Sequence, residues 1–404
     1  MNNSLNTSDF SRELSLLLRI IGSGPWGEED LEGVDWKELI RLAYHHRVYP
    51  LLYMRLKERG RESVPRSIMD SLYSKYSANV ISMLRLSSEM EKINSALMEH
   101  QVEAIFLKGP VLAQQLYGDL SLRTSKDLDV LVSPKHLEKA EGILSELGYV
   151  TEDEKTLGSW KRKKHHISYV HPLYFTQVEL HWRMSAELPG ASFRTLWDRR
   201  TTVSFSGRPI HYLSDGDLFM YLVSHGARHG WFRLRWLCDI DRMIQKKSFN
   251  VQKIMEHYLQ RKERDLAGQA AILTNRLLST PLGGDLEELS RNMYAEELAR
   301  ASLYFIKNPV DLSPNGDKDT LAYYKRYLHS LMSRKEKLSL IMDYLYPSTK
   351  DVSLLPLPKL LHFLYFPLRP FLWFWRYVFS KEPVTTADPK TDRKEERHAS
   401  ESTV

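Results

Sequence analysis

The sequence predicts an α/β protein: a sheet crossed by helices and held between helical regions. Three observations carry this. Apolar residues recur with helical spacing over the first hundred positions. The pattern then breaks into short apolar runs bounded by Gly and Pro, alternating with short helical stretches. Helical spacing returns after about position 185.

In chain order, "MNNSLNTSDFSRELSLLLRIIGSG" has no early basic cluster, and Arg19 interrupts its apolar run. It reads as a capped amphipathic helix and not as a signal peptide. "DWKELIRLAYHHRVYPLLYMRLKERG" places Leu39, Ile40, Ala43 and Tyr44 on one face, with Pro50 as a break. "SIMDSLYSKYSANVISMLRLSSEMEKINSALMEHQ" keeps helical spacing for about nine turns. "VEAIFLKG" reads as a strand, and "PVLAQQLYG" as a helix with Pro110 at its first position and Gly118 after its last turn. "DLDVLV" is a second strand, and "SPKHLEKAEGILSELG" a helix with Ser133 as its N-cap. "YV" begins another strand, while "HHISYVH" and "LYFTQVELHWRM" are two more, separated at Pro172. The expected organisation is a helical region over 1–100, an α/β core over 101–184 and a helical domain over 185–350. An apolar, basic, proline-containing arm follows over 351–380, then a polar tail over 381–404 expected to be disordered.

Composition bounds the function. Hydrophobic residues at 42% and charged residues at 27% are those of a soluble globular chain, and 404 residues leave room for more than one core. The net charge of +6 suits a polyanionic partner or an anionic membrane surface but demands neither, since a solvated basic face is the simpler account of it. The lone cysteine, Cys238, excludes an intrachain disulfide and a cysteine-based zinc site, and it fits a reducing cytoplasm. Nothing reads as a clean membrane span. The aromatic and basic mix of 354–379 suits peripheral contact with a membrane interface. Its four prolines, with Lys359 and Arg369, argue against a spanning helix, and packing on the protein or on a second subunit stays open.

Two carboxylates open the second strand. Strand side chains alternate, so Asp127 and Asp129 share one face while Leu128 and Val130 face the core. Neighbouring carboxylates repel, and a divalent cation such as Mg2+ (or Mn2+) relieves the repulsion. Glu179, in "VELHWRM", holds a similar strand position. If the strands are neighbours, the three acids converge in the arrangement of two-metal phosphoryl or nucleotidyl transfer. The plainer accounts are a strand-end turn for the aspartates and an exposed edge position for Glu179.

The segment "FLKGPVLAQQLYGDLSLRTSKDLDVLV", followed by "VELHW" and "HGARHGWFRLRWLCDID", resembles the poorly characterised bacterial nucleotidyltransferase family of the polymerase-β-like superfamily. The similarity runs from about Trp36 to about Pro347, and an ordered set carries it: Lys-Gly, Tyr-Gly, Arg, Asp-x-Asp, Glu-x-His-Trp. The resemblance implies a polymerase-β-like core with a mixed sheet. It implies transfer of a nucleoside monophosphate from an NTP to a hydroxyl or phosphate, with Mg2+ and release of pyrophosphate. Asp127 and Asp129 would hold the metals, and Glu179 would complete the site and help deprotonate the acceptor hydroxyl. Gly109 corresponds to the glycine turn at which backbone N–H groups approach the triphosphate. Lys108 and Arg123 would be phosphate partners, Arg123 through its fork. Pro110 stands where the superfamily usually has Gly or Ser, and the excursion to Asp127 is longer, so Thr124 or Ser125 would substitute only by folding back.

His181 shares a face with Glu179 and either borders the site or is a hydrogen-bonded structural residue. His225 and His229 have a zinc-compatible spacing, but no Glu or third histidine stands at the expected place. Their helix is expected to pack over the nucleotide pocket, with His225, Trp231 and Arg235 lining it or filling a core. Asp239 and Asp241 would cap, pair with Arg235 or Arg242, or assist the substrate. The acceptor is open among sugars, small natural products, peptides and proteins, and nucleic acid stays possible without an extended basic-aromatic array to favour it. The rival readings are a catalytically idle nucleotide-binding scaffold and γ-phosphoryl transfer by the same metals.

Overall fold

Seven strands join in one mixed sheet in the order β3–β4–β5–β2–β1–β7–β6. They are β1 (Ala104–Phe106), β2 (Asp127–Val132), β3 (Val150–Thr151), β4 (His166–Val170), β5 (Gln177–His181), β6 (Thr201–Phe205) and β7 (Arg208–Tyr212). This computed structural model describes residues 5–60, 62–151, 164–184, 191–246, 249–250, 252, 254, 261–313, 315–334, 336–338 and 354–379. The chain divides into two units, Met1–Lys337 and Leu338–Val404.

Strand β2 sits at the centre of the sheet. It pairs antiparallel with β1 and parallel with β5, and β4 pairs antiparallel with β5. Alternation sets the layers: Leu128 and Val130 of β2, and Val178 and Leu180 of β5, are fully buried. The sheet runs past position 184, which corrects the expected core of 101–184 and the uniformly helical stretch after it. Strands β6 and β7, "TTVSFSGRPIHY", form an antiparallel hairpin, and β7 pairs parallel with β1. The hairpin turns through Ser206 (φ 48°) and Gly207 (φ 79°), both left-handed as a two-residue primed turn requires. The hairpin's apolar alternation is short, and Pro209 interrupts it, so the sequence pattern is faint.

Helices α1 (Arg12–Ile21), α2 (Trp36–His45), α3 (Tyr49–Arg59) and α4 (Arg66–Glu99) precede the sheet. Ser11 caps α1 by accepting from the Leu14 N–H, and Asp35 caps α2 by accepting from the Glu38 N–H. The break between α2 and α3 falls at Arg47 (φ 57°), and Pro50 lies inside the first turn of α3, where its missing N–H costs nothing. Within the sheet region come α5 (Pro110–Tyr117), α6 (Leu137–Glu146) and α7 (Phe193–Arg199). A short 3-10 turn, Pro134–His136, separates Ser133 from α6, so the expected Ser133 cap makes no side-chain bond.

Helices α8 (Asp215–Arg228), α9 (Leu234–Ile244), α10 (Arg261–Leu278), α11 (Gly284–Ser290), α12 (Met293–Lys307) and α13 (Lys318–Leu331) follow among the described residues of the first unit. The α8–α9 corner depends on Gly226. A Cβ there would lie 2.2 Å from Cζ3 of the buried Trp231, so only glycine admits the indole. In the second unit, a 3-10 turn (Lys359–Leu364) leads into α14 (Tyr365–Phe379), which contains Pro370. The Tyr365 hydroxyl donates to the Leu355 carbonyl and accepts from the Leu357 N–H. Among the described residues no helix is long and apolar enough to cross a membrane. The tail over 381–404 lies outside the described residues.

Candidate active site

The parallel register of β2 and β5 pairs Asp127 with Gln177 and Asp129 with Glu179, so two of the expected acids stand side by side on adjacent strands. Asp129 is fully buried and doubly partnered. Lys108 Nζ lies 3.1 Å from its Oδ2, and His181 Nε2 lies 3.1 Å from its Oδ1. His181 Nε2 is also 3.4 Å from Glu179 Oε2, and His166 Nε2 is 3.9 Å from Glu179 Oε1. Asp127 lines the same cleft.

Charge balance follows from this geometry. Burial works against the Lys108 ammonium, but Asp129, with Asp127 and Glu179 behind it, more than compensates and raises its pKa. Burial would raise the Glu179 carboxyl, yet the His181 hydrogen bond and the charge of His166 hold it down to about 2. His181 is opposed by burial and raised overall by its bonds to Asp129 and Glu179. The acid set fits a divalent cation. It offers carboxylate oxygens from neighbouring strands, and Asp129, Glu179 and His181 each present a ligand atom within 4.8 Å of the others. The protein balances this negative charge with Lys108 and His181.

The cleft has a volume of about 560 Å³. Beside the acids it carries Arg47, Lys126, Arg228, Arg233 and Arg235. These cations crowd one another. Burial, then Arg47, brings Arg233 down to about 10, and burial, then Arg123 and Arg47, brings Arg235 down to about 9. A polyanion would relieve such crowding. Aromatic rings floor this part of the cleft: His229 stacks on Trp236 at 5.1 Å, and Phe232 meets Trp236 edge-on at 5.1 Å. Burial holds both His225 and His229 far toward the neutral form, His229 down to about 3. Neither belongs to a metal-compatible cluster among the described residues.

Of the residues expected at the site, Asp127, Asp129, Glu179, Lys108 and His181 meet in the cleft. Four expected residues stand elsewhere. Arg123 is 2% exposed and gives its fork to Asp239, Nε to Oδ1 at 2.8 Å and Nη2 to Oδ2 at 2.9 Å. That corrects its expected phosphate role, and it corrects the expected Arg235 partner of Asp239. Thr124 and Ser125 are buried outside the cleft lining; Thr124 instead accepts from Arg235 through its carbonyl at 2.6 Å and its hydroxyl at 3.1 Å. Gly109 N-caps α5 with φ 89°, a conformation open to glycine, but it too lies outside the cleft lining. Asp241 is bonded to Thr280 and Gln245, and Trp231 is core.

Sequence reasoning missed His165, His166, Arg47 and Arg228. A signal existed for the histidines, since "HH" opens a strand that can pair with the Glu-x-His strand. For Arg47 and Arg228 the sequence carries none, because both stand at helix ends brought to the cleft by packing.

Adjacent strand carboxylates facing a cation-rich cleft are the arrangement that phosphoryl or nucleotidyl transfer uses. Residues 32–279 match the sequence profile of a family described as uncharacterised nucleotidyltransferase. The match spans more than half of the chain, and the protein belongs to that family. Among curated proteins no sequence matches. Solved structures with some similarity include the antibiotic-resistance factor ANT(2'')-Ia, at 13% identity over 42% of this chain and 87% of that one, TM-score 0.32. The lincosamide antibiotic adenylyltransferase LnuA, bound to lincomycin, is 16% identical over 40% of this chain and 97% of that one, TM-score 0.30. An antigenic nucleotidyltransferase-like protein from Paracoccidioides brasiliensis is 16% identical over 54% of this chain and 98% of that one, TM-score 0.32.

Proposed function

We propose that this nucleotidyltransferase moves a nucleoside monophosphate from an NTP to a hydroxyl or phosphate of its acceptor, in the presence of Mg2+ (or Mn2+), and releases pyrophosphate. The observation that carries the reading is the register that sets Asp129 beside Glu179, with Asp127 on the same cleft. Asp127, Asp129 and Glu179 would hold the cation, which when bound supplies Lewis-acid stabilisation of charge on the reacting phosphate. Lys126, Arg47, Arg233 and Arg235 grip the β- and γ-phosphates, and Phe232 and Trp236 keep water from the grip. Glu179 accepts the hydrogen bond of the acceptor hydroxyl and orients it. The acceptor oxygen attacks the α-phosphorus in line as its proton passes by way of Glu179 to water, and the bond to the β-phosphate oxygen breaks. The pyrophosphate carries away the bonding pair.

ATP is the first donor to test. The acceptor is drawn from sugars, small natural products, peptides and protein side chains, with nucleic acid as a further arm of the screen. Incubation with Mg2+ and labelled NTPs is expected to give pyrophosphate release or self-labelling, and Asp127→Asn and Asp129→Asn are each expected to lower turnover by about a thousandfold. Nucleotide binding without turnover across many acceptors would identify a scaffold, and ADP in place of pyrophosphate would identify γ-phosphoryl transfer. The cytoplasm, which holds both NTP and Mg2+, is the compartment we assign. In the second unit, exposed Phe363, Phe371, Phe374 and Trp375 support peripheral membrane contact by the 354–379 arm, checked by co-sedimentation with anionic vesicles.

A further inference from the structure

We infer that the β4–β5 edge of the cleft is a second metal site, in which His165, His166 and His181 hold one divalent transition-metal ion such as Zn2+. The inference does not rest on nucleotidyl transfer. Three features carry it. First, the antiparallel register pairs His166 with His181, so the two imidazoles are cross-strand neighbours, and His165 stands immediately before β4. Second, the three histidines each present a ring nitrogen within 4.8 Å of the others, and His166 Nδ1 lies 3.1 Å from His165 Nε2. Ligands at about 2.1 Å around a tetrahedral ion stand roughly 3.4 Å apart, so the nitrogens need shift little to share one. Third, His181 is 3% exposed, and its Nδ1 has no hydrogen-bond partner among the described residues. A buried ring nitrogen without a partner is costly, and a bound metal ion, displacing the proton from Nδ1, satisfies it.

The donor chemistry selects the ion. Imidazole suits Zn2+ and its neighbours in the first transition row, whereas Mg2+ prefers oxygen and retains its water. Glu179, 3.9 Å from His166 Nε2, supplies the neighbouring negative charge. The β4–β5 pair would thus carry a nitrogen-rich site next to the oxygen-rich one formed by Asp127, Asp129 and Glu179.

The test uses the full chain freed of metal with a chelator, then titrated with Zn2+ or Co2+ in excess Mg2+. One ion per chain is expected, and Co2+ is expected to develop the visible d–d bands of imidazole ligation. The double variant His165→Gln/His166→Gln is expected to weaken Zn2+ binding more than ~100-fold, beyond the 10–100-fold typical of a residue that only props a ligand. Asp127→Asn is expected to bind Zn2+ as the parent does, though it loses turnover. Should the double variant fail to fold, as judged by circular dichroism, the single change His166→Gln at a partly exposed position is expected to weaken binding at least tenfold. No stoichiometric ion, displacement by Mg2+, or unchanged affinity in the histidine variants would overturn the inference.

Discussion

The two walls of the cleft are built by different means. On the sheet, Asp129, Glu179, His166 and His181 occupy paired strand positions, so backbone hydrogen bonds fix their spacing directly. On the helical side, Arg228, Arg233 and Arg235 come from the α8–α9 corner, and Arg47 from the α2–α3 break. Their positions depend on side-chain packing, on Trp231 against Gly226, and on the Arg235 N–H that donates to the His46 carbonyl at 3.2 Å. The sheet wall concentrates negative charge in fixed geometry, which the proposed metal chemistry needs. The helical wall concentrates positive charge, which the proposed grip on a polyphosphate needs.

One buried ion pair ties the walls together, and removing it is the largest expected effect. Arg123, just before β2, holds Asp239 on α9, and the Tyr117 hydroxyl also donates to Asp239 Oδ1 at 2.9 Å. Asp239→Ala leaves a buried guanidinium alone and is expected to cost about 3–5 kcal/mol in urea unfolding. Replacing both members by apolar residues, Arg123→Met with Asp239→Leu, is expected to recover most of that loss. A small effect of the single change would show that the walls hold their relation by other contacts.

The same contrast explains what was legible in the sequence. Two-residue alternation in "DLDVLV" and "VELHW" announced the acids, since a strand converts spacing into direction without help from distant residues. Arg123 was legible as an important residue but not in its role, because nothing local marks Asp239, more than a hundred positions on, as its partner. The β6–β7 hairpin was lost because its alternation is short and Pro209 breaks it. Of the basic wall only Arg235 was named from the sequence; for the rest, an arginine at a helix end looks alike in sequence whether it faces solvent or a cleft.

A smaller effect separates grip from chemistry. Arg233 lies over the Phe232 ring at 4.7 Å and is crowded by Arg47. Arg233→Ala is expected to raise the KM for NTP roughly tenfold, the worth of a charge-assisted hydrogen bond, with kcat nearly unchanged. Its stability is expected to shift by less than ~1 kcal/mol, since relief of crowding offsets the lost cation–π contact. A fall in kcat with KM unchanged would place Arg233 with the chemistry and break the division between the walls.

The smallest expected effect reads the helical wall by pH. Burial, with Arg228, Lys108 and Arg235 nearby, lowers His229 from 6.5 to about 3. The folded protein therefore keeps this imidazole neutral where the unfolded chain protonates it. Below 6.5 the unfolded state binds more protons, so the stability that His229 contributes is present above that pH and is lost as pH falls toward 3. One unit below 6.5 the loss is about 1.4 kcal/mol, and His229→Gln should flatten that part of the stability profile. The strand wall supplies the control, because its histidine His181 is shifted the opposite way by Asp129 and Glu179. If His229→Gln leaves the acid limb unchanged, the imidazole is hydrated or charged in the folded protein. The aromatic floor of Trp236 and Phe232 would then be open to water, and a grip that depends on a dry cleft would lose its physical basis.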